Sequence, residues 1–163
     1  FGAVRMCRAV LPIMRKQGFG RIVNIGSVAG DIAIPFQSFY SAAKAALRSY
    51  TLALINEVRE FNITAVCIEP GDIRTGFTAA RHKNTRGDDI YNGRISRSVE
   101  KMENDEQNGM LPETAGKYIA EIASKQSGKP VSIIGGQYKA VGLLKKLLPL
   151  RLTNRIVGAI YAK

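Results

Sequence analysis

The chain has 163 residues, 45% of them hydrophobic, and carries a formal net charge of +11. That length and apolar content suffice for one packed core and exclude disordered, collagen-like and disulfide-scaffold classes. No apolar run reaches the roughly 18–20 residues that a bilayer span needs, and Cys7 and Cys67, the only cysteines, lack metal-binding spacing.

In chain order, Val4, Cys7, Ala9, Val10, Leu11 and Met14 give one apolar face to a helix over 1–17, closed by a glycine C-cap at Gly18. Phe1 falls inside that helix, and no secretory signal pattern is present, so the chain reads as beginning within a longer protein. The β-branched run RIVNIG over 21–26 predicts a strand. Ser38 opens a long helix over 38–61, with Phe39, Ala43, Ala46, Leu47, Tyr50, Leu54, Val58 and Phe61 at helical spacing. The run ITAVCI over 63–68 is apolar enough for a strand covered on both faces, and Pro70-Gly71 ends it.

From Asp72 to about Gly109 the sequence is polar, with only weak helical pattern. A helix over 112–124, a strand over 131–134 and two short amphipathic helices separated by Pro149 complete the chain. Alternating helices and strands predict an α/β fold: part of a doubly wound parallel sheet in three α/β/α layers, with about three strands. One domain is expected over 1–163, with a basic amphipathic tail over 138–163.

Cys7 and Cys67 read as buried free thiols, which suits a reducing cytoplasm. His82 has no partner at ligand spacing, so no metal site is expected. Asn62-Ile63-Thr64 matches a glycosylation sequon, but it lies where a helix enters a strand and is assigned no role.

Charge is uneven. Arg5, Arg8, Arg15, Lys16 and Arg21 precede the first acid, Asp31, and after Glu121 there is no acid among Lys125, Lys129, Lys139, Lys145, Lys146, Arg151, Arg155 and Lys163. Such asymmetry suits an anionic partner (phospholipid, acidic substrate or nucleic acid) or an acidic remainder of a longer protein. No nucleic-acid partner is expected.

Ser27, Tyr40 and Lys44 stand in a chemically pointed relation. Ser27 follows the first strand, at the carboxyl end where ligands gather in open parallel sheets. Tyr40 and Lys44 are four apart on the long helix and share a face. A phenol with a pKa of about 10 transfers protons poorly near neutrality, and an ammonium one turn away favours the phenolate. A serine hydroxyl can donate to the same substrate oxygen as charge develops on it. The Tyr/Lys spacing alone is common and carries little weight.

The run GRIVNIGSVAG…PFQSFYSAAKAAL…ITAVCIEPGDIRTGF resembles the short-chain dehydrogenase/reductase superfamily. Its Tyr-x-x-x-Lys hallmark stands as Tyr40 to Lys44, its serine stands 13 residues earlier (40 − 27 = 13), and its Pro-Gly stands as Pro70-Gly71. The resemblance implies NAD(P)(H)-dependent interconversion of an alcohol and a carbonyl compound, with Ser27, Tyr40 and Lys44 catalytic. It further implies that Tyr40 and Lys44, with Pro70, Gly71, Ile73 and Thr75, contact the NAD or NADP cofactor. A small-molecule alcohol or ketone, lipid-like or steroid-like by family habit, is the implied substrate, and 76–111 corresponds to the family's variable substrate loop. Homo-oligomers through helices 1–17 and 38–61 are implied as well.

The chain departs from the family in lacking a dinucleotide fingerprint: Gly18-Phe19-Gly20 precedes a strand and has Val23 where a third glycine would be. The family's catalytic asparagine would precede Phe1. The isolated chain is therefore expected neither to bind NAD(P) nor to turn over. The tail over 138–163 suits a peripheral contact with an anionic membrane, or a helix packed on its own domain or on a partner subunit. Two other readings stay open: a non-catalytic or membrane-associated interaction module, and a sugar-nucleotide epimerase or dehydratase, against which the short tail argues.

Overall fold

In the computed structural model, which describes residues 1–84, 86–125 and 128–163, the strand β2 (Ile63–Pro70) is the middle of a three-stranded parallel sheet. Its neighbours are β1 (Gly20–Ile25) and β3 (Val131–Ile134). The central position explains the composition, because a strand buried on both faces is apolar on both. Gly20 pairs with Ile63 and Ile25 with Ile68, while Cys67 to Pro70 run beside Val131 to Ile134.

Alternation along the strands divides the interior in two. Ile22, Ile63 and Ala65 face helices α1 (Gly2–Gln17) and α2 (Ser38–Val58), where Cys7, Leu11, Leu54 and Val58 complete a core. Val66, Ile68 and Ile134 form a second core beneath α5 (Pro112–Ser124), which contributes Ile119 and Ile122. The α/β, three-layer expectation is met. Both cysteines are buried free thiols, Cys67 at the sheet centre.

The first helix ends as its sequence predicts. Gly18 adopts the left-handed conformation (φ 76°), and its N–H reaches the carbonyls of Met14 and Arg15. The second strand runs two residues beyond the apolar run, to Pro70, and the first is shifted by one. The long helix departs from its expected stripe: Phe39 is 92% exposed, whereas Ser41 and Thr51 are buried. Both buried hydroxyls are satisfied. Thr51 accepts from Asn24 Nδ2 (2.9 Å) and donates to the Leu47 carbonyl (2.7 Å), and Ser41 accepts from the Ile34 N–H (3.1 Å). After α2 a single 3₁₀ turn, Arg59–Phe61, is closed by Asn62 with φ 56°.

Part of the polar stretch expected as a loop over 76–111 is helical, in α3 (Phe77–Ala80) and α4 (Arg94–Gln107); Thr85 within it lies outside the described residues. The tail forms α6 (Gly136–Leu147) and α7 (Leu150–Tyr161), and α7 packs on α4. No helix among the described residues is long and apolar enough to cross a membrane.

Candidate active site

Ser27 is reached two residues after β1 ends. Its backbone is extended and its Oγ accepts from the Ala29 N–H (3.1 Å), capping the short turn Val28–Gly30. That turn presses on α2. A Cβ at Gly30 would lie 2.7 Å from the Lys44 carbonyl carbon and 2.9 Å from the Ala45 nitrogen, so only glycine permits the approach. The approach sets Ser27 beside the amino-terminal part of α2, which carries Tyr40 and Lys44.

The Lys44 ammonium donates to the Ile25 carbonyl (2.9 Å) and lies 5.7 Å from the centroid of the Tyr40 ring. Burial pushes Lys44 below its ordinary pKa, with a smaller opposing influence from Cys67. Of the three protons on an ammonium, the Ile25 carbonyl takes one.

Pro70 to Thr75 form the facing wall. The Gly71 N–H bonds the Ile134 carbonyl (3.2 Å), and Ile73 bridges to Met110. Thr75 Oγ1 accepts from the Phe77 N–H (3.2 Å) at the start of α3. Ser27, Tyr40, Lys44, Pro70, Gly71, Ile73 and Thr75 all line one cleft of about 630 Å³. The sequence-predicted residues are thus brought together.

A third wall escaped the sequence reading. Asp72, Met102, Asp105, Tyr138 and Tyr161 also line the cleft. The Tyr138 ring lies so close over Gly71 that a Cβ there would be 2.0 Å from it, and the Tyr138 hydroxyl donates to Asp72. Burial raises the Asp72 pKa, while that hydrogen bond lowers it; burial and the same bond both raise Tyr138. The Tyr161 hydroxyl donates to Asp105 (3.1 Å). A signal for Tyr138 existed. It follows the carboxyl end of β3, the same placement that singles out Ser27.

Beneath the Ser27 turn runs a chain of charges. Arg48 on α2 bridges Asp31 (2.8 Å) and Glu69 (3.3 Å), and Lys145 on α6 reaches Asp31 (2.7 Å). Glu69 is 1% exposed. Burial raises its pKa above the ordinary 4.5, Arg48 opposes the rise, and Asp31 adds to it. In the folded state Glu69 therefore holds its proton to higher pH than in the unfolded chain. Its contribution to stability is full below about pH 4.5 and is lost as pH rises through the folded value. Glu69→Gln is expected to flatten the fall in stability above pH 4.5, read as urea midpoints across pH. An unchanged slope would show that another group titrates.

The donor set of this cleft suits the nicotinamide end of a dinucleotide. Hydroxyls of Ser27, Tyr40 and Thr75 and the Lys44 ammonium surround one space of ligand size. The phosphate end has no comparable cradle at Gly18-Phe19-Gly20: Gly18 caps a helix, and a Cβ at Gly20 would lie 2.5 Å from Met14 Sδ. Gly135-Gly136 does open α6, but Tyr138 covers it, 2.8 Å from a Cβ at Gly135.

A parallel α/β sheet with serine, tyrosine and lysine converging at its carboxyl edge defines a class, and family comparison gives the same class. The family model described as short chain dehydrogenase matches residues 1–86. The chain belongs to the short-chain dehydrogenase/reductase family of oxidoreductases.

Among its relatives is a 3-ketodihydrosphingosine reductase of Bacteroides thetaiotaomicron, 42% identical over 129 residues, covering 78% of this chain and 48% of the relative. The uncharacterized oxidoreductase YbbO of Escherichia coli is 32% identical over 160 residues, covering 96% and 55%. A short-chain dehydrogenase structure from Streptomyces avermitilis superposes with a TM-score of 0.69 at 28% identity, covering 90% of this chain and 54% of that one. A closed serine dehydrogenase complexed with NADP+ gives 0.64 at 29% identity, covering 82% and 50%. The chain spans about half the length of these relatives.

Proposed function

We propose that this chain carries the reacting centre of an NAD(P)(H)-dependent enzyme that interconverts a secondary alcohol and a ketone. The observation that carries the reading is the convergence of Ser27, Tyr40 and Lys44 in one cleft. When bound, the nicotinamide cofactor supplies or accepts the hydride; the chain's own residues position the substrate and manage its proton.

The Ser27 hydroxyl uses a lone pair to accept from Ala29, which leaves its proton to donate to the substrate oxygen. As negative charge grows on that oxygen, this fixed donor stabilises it. Tyr40 delivers the proton in the reductive direction and removes it in the oxidative one. Lys44, held by the Ile25 carbonyl, keeps a positive charge beside the phenolate that proton donation leaves, and has protons remaining for ribose hydroxyls. Backbone groups of Pro70, Gly71 and Ile73, with the Thr75 hydroxyl, would hold the nicotinamide carboxamide. Such positioning supplies much of the rate when a cofactor carries the difficult chemistry.

The Bacteroides relative, named a 3-ketodihydrosphingosine reductase, supports a lipid-like substrate. Phe77, Met102, Tyr138 and Tyr161 would take apolar parts, and Asp72 and Asp105 stand where an ammonium could pair with them. The segment 76–111 serves as the substrate-facing element. The outward sides of α1 and α2 expose Met6, Ile13 and Phe39, which supports a homo-oligomer through these helices.

Titrating the full-length protein with NADH and NADPH, followed by cofactor fluorescence, tests the assignment. Saturable binding of one or both is expected; binding of neither removes it. The chain over 1–163 by itself is expected to bind neither.

A further inference from the structure

Helices α6 and α7 each turn one stripe inward and another outward. On α6 the inward stripe is Tyr138, Gly142 and Lys145. Tyr138 covers Gly71, a Cβ at Gly142 would meet Ile133 at 2.9 Å, and Lys145 pairs with Asp31. Leu143, Leu144 and Leu147 occupy another side, with Leu143 64% and Leu147 76% exposed. Leu150, just past Pro149, is 77% exposed. On α7, Val157 is buried and Tyr161 reaches Asp105, whereas Leu152, Ile156 and Ile160, spaced one turn apart, are exposed.

The cations are placed with these apolar residues. Lys146 lies in the last turn of α6, and Arg151 and Arg155 lie one turn apart on α7; all three are exposed. No acid occurs in the sequence after Glu121. The tail thus shows solvent a series of large aliphatic side chains interspersed with cations that have no carboxylate in their own segment.

We propose that this surface docks on an anionic phospholipid bilayer, with its leucines and isoleucines at the acyl boundary and Lys146, Arg151 and Arg155 among the headgroups. Charge favours lipid over a second copy of the chain. Two such faces in contact would set like cations against each other, whereas anionic headgroups pair with them.

The inward residues of the same helices, Tyr138 and Tyr161, line the cleft. Docking therefore brings one wall of the cleft to the surface where long-chain substrates reside. That functional consequence rests on the oxidoreductase reading above; the docking does not.

The test uses full-length protein sedimented with vesicles of phosphatidylcholine alone or mixed with phosphatidylglycerol. Binding to the mixed vesicles is expected to be about tenfold or more tighter and to weaken with salt. Leu143→Glu with Leu147→Glu should weaken binding by about tenfold or more, and Lys146→Gln with Arg151→Gln should remove the preference for anionic vesicles. All four side chains face solvent, so melting temperatures should match the parent. As a second readout, Leu147→Trp should be quenched by lipids with brominated acyl chains.

Equal, weak sedimentation with both vesicle types overturns the proposal, as does full binding by the glutamate variant. A glutamate variant that only changes from dimer to monomer, with no vesicle binding by the parent, also overturns it and assigns the face to a second copy. Cofactor titration of the same samples reports separately on the oxidoreductase reading.

Discussion

Tyr40→Phe in the full-length protein is expected to lower kcat by about 10²–10⁴-fold, the range typical of a positioned general acid or base. The substitution removes one oxygen from a side chain that is exposed to the cleft and leaves the ring beside Lys44 in place. Melting temperature and NAD(P)H affinity should therefore stay near those of the parent. The loss should fall on kcat and kcat/KM alike, because a proton moves only in the transition state. Steady-state kinetics together with a cofactor titration check this. A variant within about tenfold of the parent would remove Tyr40 from the proton step and leave the reading with a positioning site only.

The second large effect concerns backbone geometry and touches no reacting group. Gly30→Ala should destabilise the fold by about 1–3 kcal/mol, as overpacking of a filled site does. The new methyl would meet the carbonyl carbon and oxygen of Lys44 and the nitrogen of Ala45, all main-chain atoms of α2. A flexible side chain could yield to it; a helix backbone cannot without moving the helix or the turn. Either movement separates Ser27 from Tyr40 and Lys44. The surviving folded protein should therefore lose activity as well, and lowering the assay temperature to restore folding should not restore the rate. Denaturant unfolding and activity measured on one sample distinguish this from a stability effect alone.

The layered α/β architecture was legible because its strands are apolar over short runs and its helices periodic. Ser27, Tyr40 and Lys44 stood out through the family's motif spacing, a local pattern, and the fold sets all three along one cleft. What could not be read depends on partners distant in sequence. Thr51 lies outside the apolar stripe of its helix, and its burial depends on Asn24 from β1 reaching its hydroxyl. Phe39 looks like a core residue, yet it lies on the solvent side of the first turn of α2.

Helix α4 hides for a related reason. RISRSVEKMENDEQ offers Ile95, Val99 and Met102 as its apolar positions, and it stands against α7 from the far end of the chain. The hydroxyl of Tyr161, the Lys101–Asp105 pair and the bonds from Arg94 and Arg97 to the terminal carbonyls accompany that packing. The third wall of the cleft was missed in the same way. Tyr138 follows the carboxyl end of β3, which is a local signal, but its pairing with Asp72 spans 66 residues and is not.

The placement of the two thiols has a practical consequence. The chain contains no tryptophan, but Cys67 is sealed inside the central strand beneath Gly26, where a Cβ would come within 2.8 Å of its sulfur. Cys7 is sealed between α1 and the sheet. An alkylating reagent must wait for the sheet to part before it reaches one and for α1 to lift before it reaches the other. Their separate modification rates, resolved by mass, thus act as two built-in clocks for two distinct openings of the same molecule.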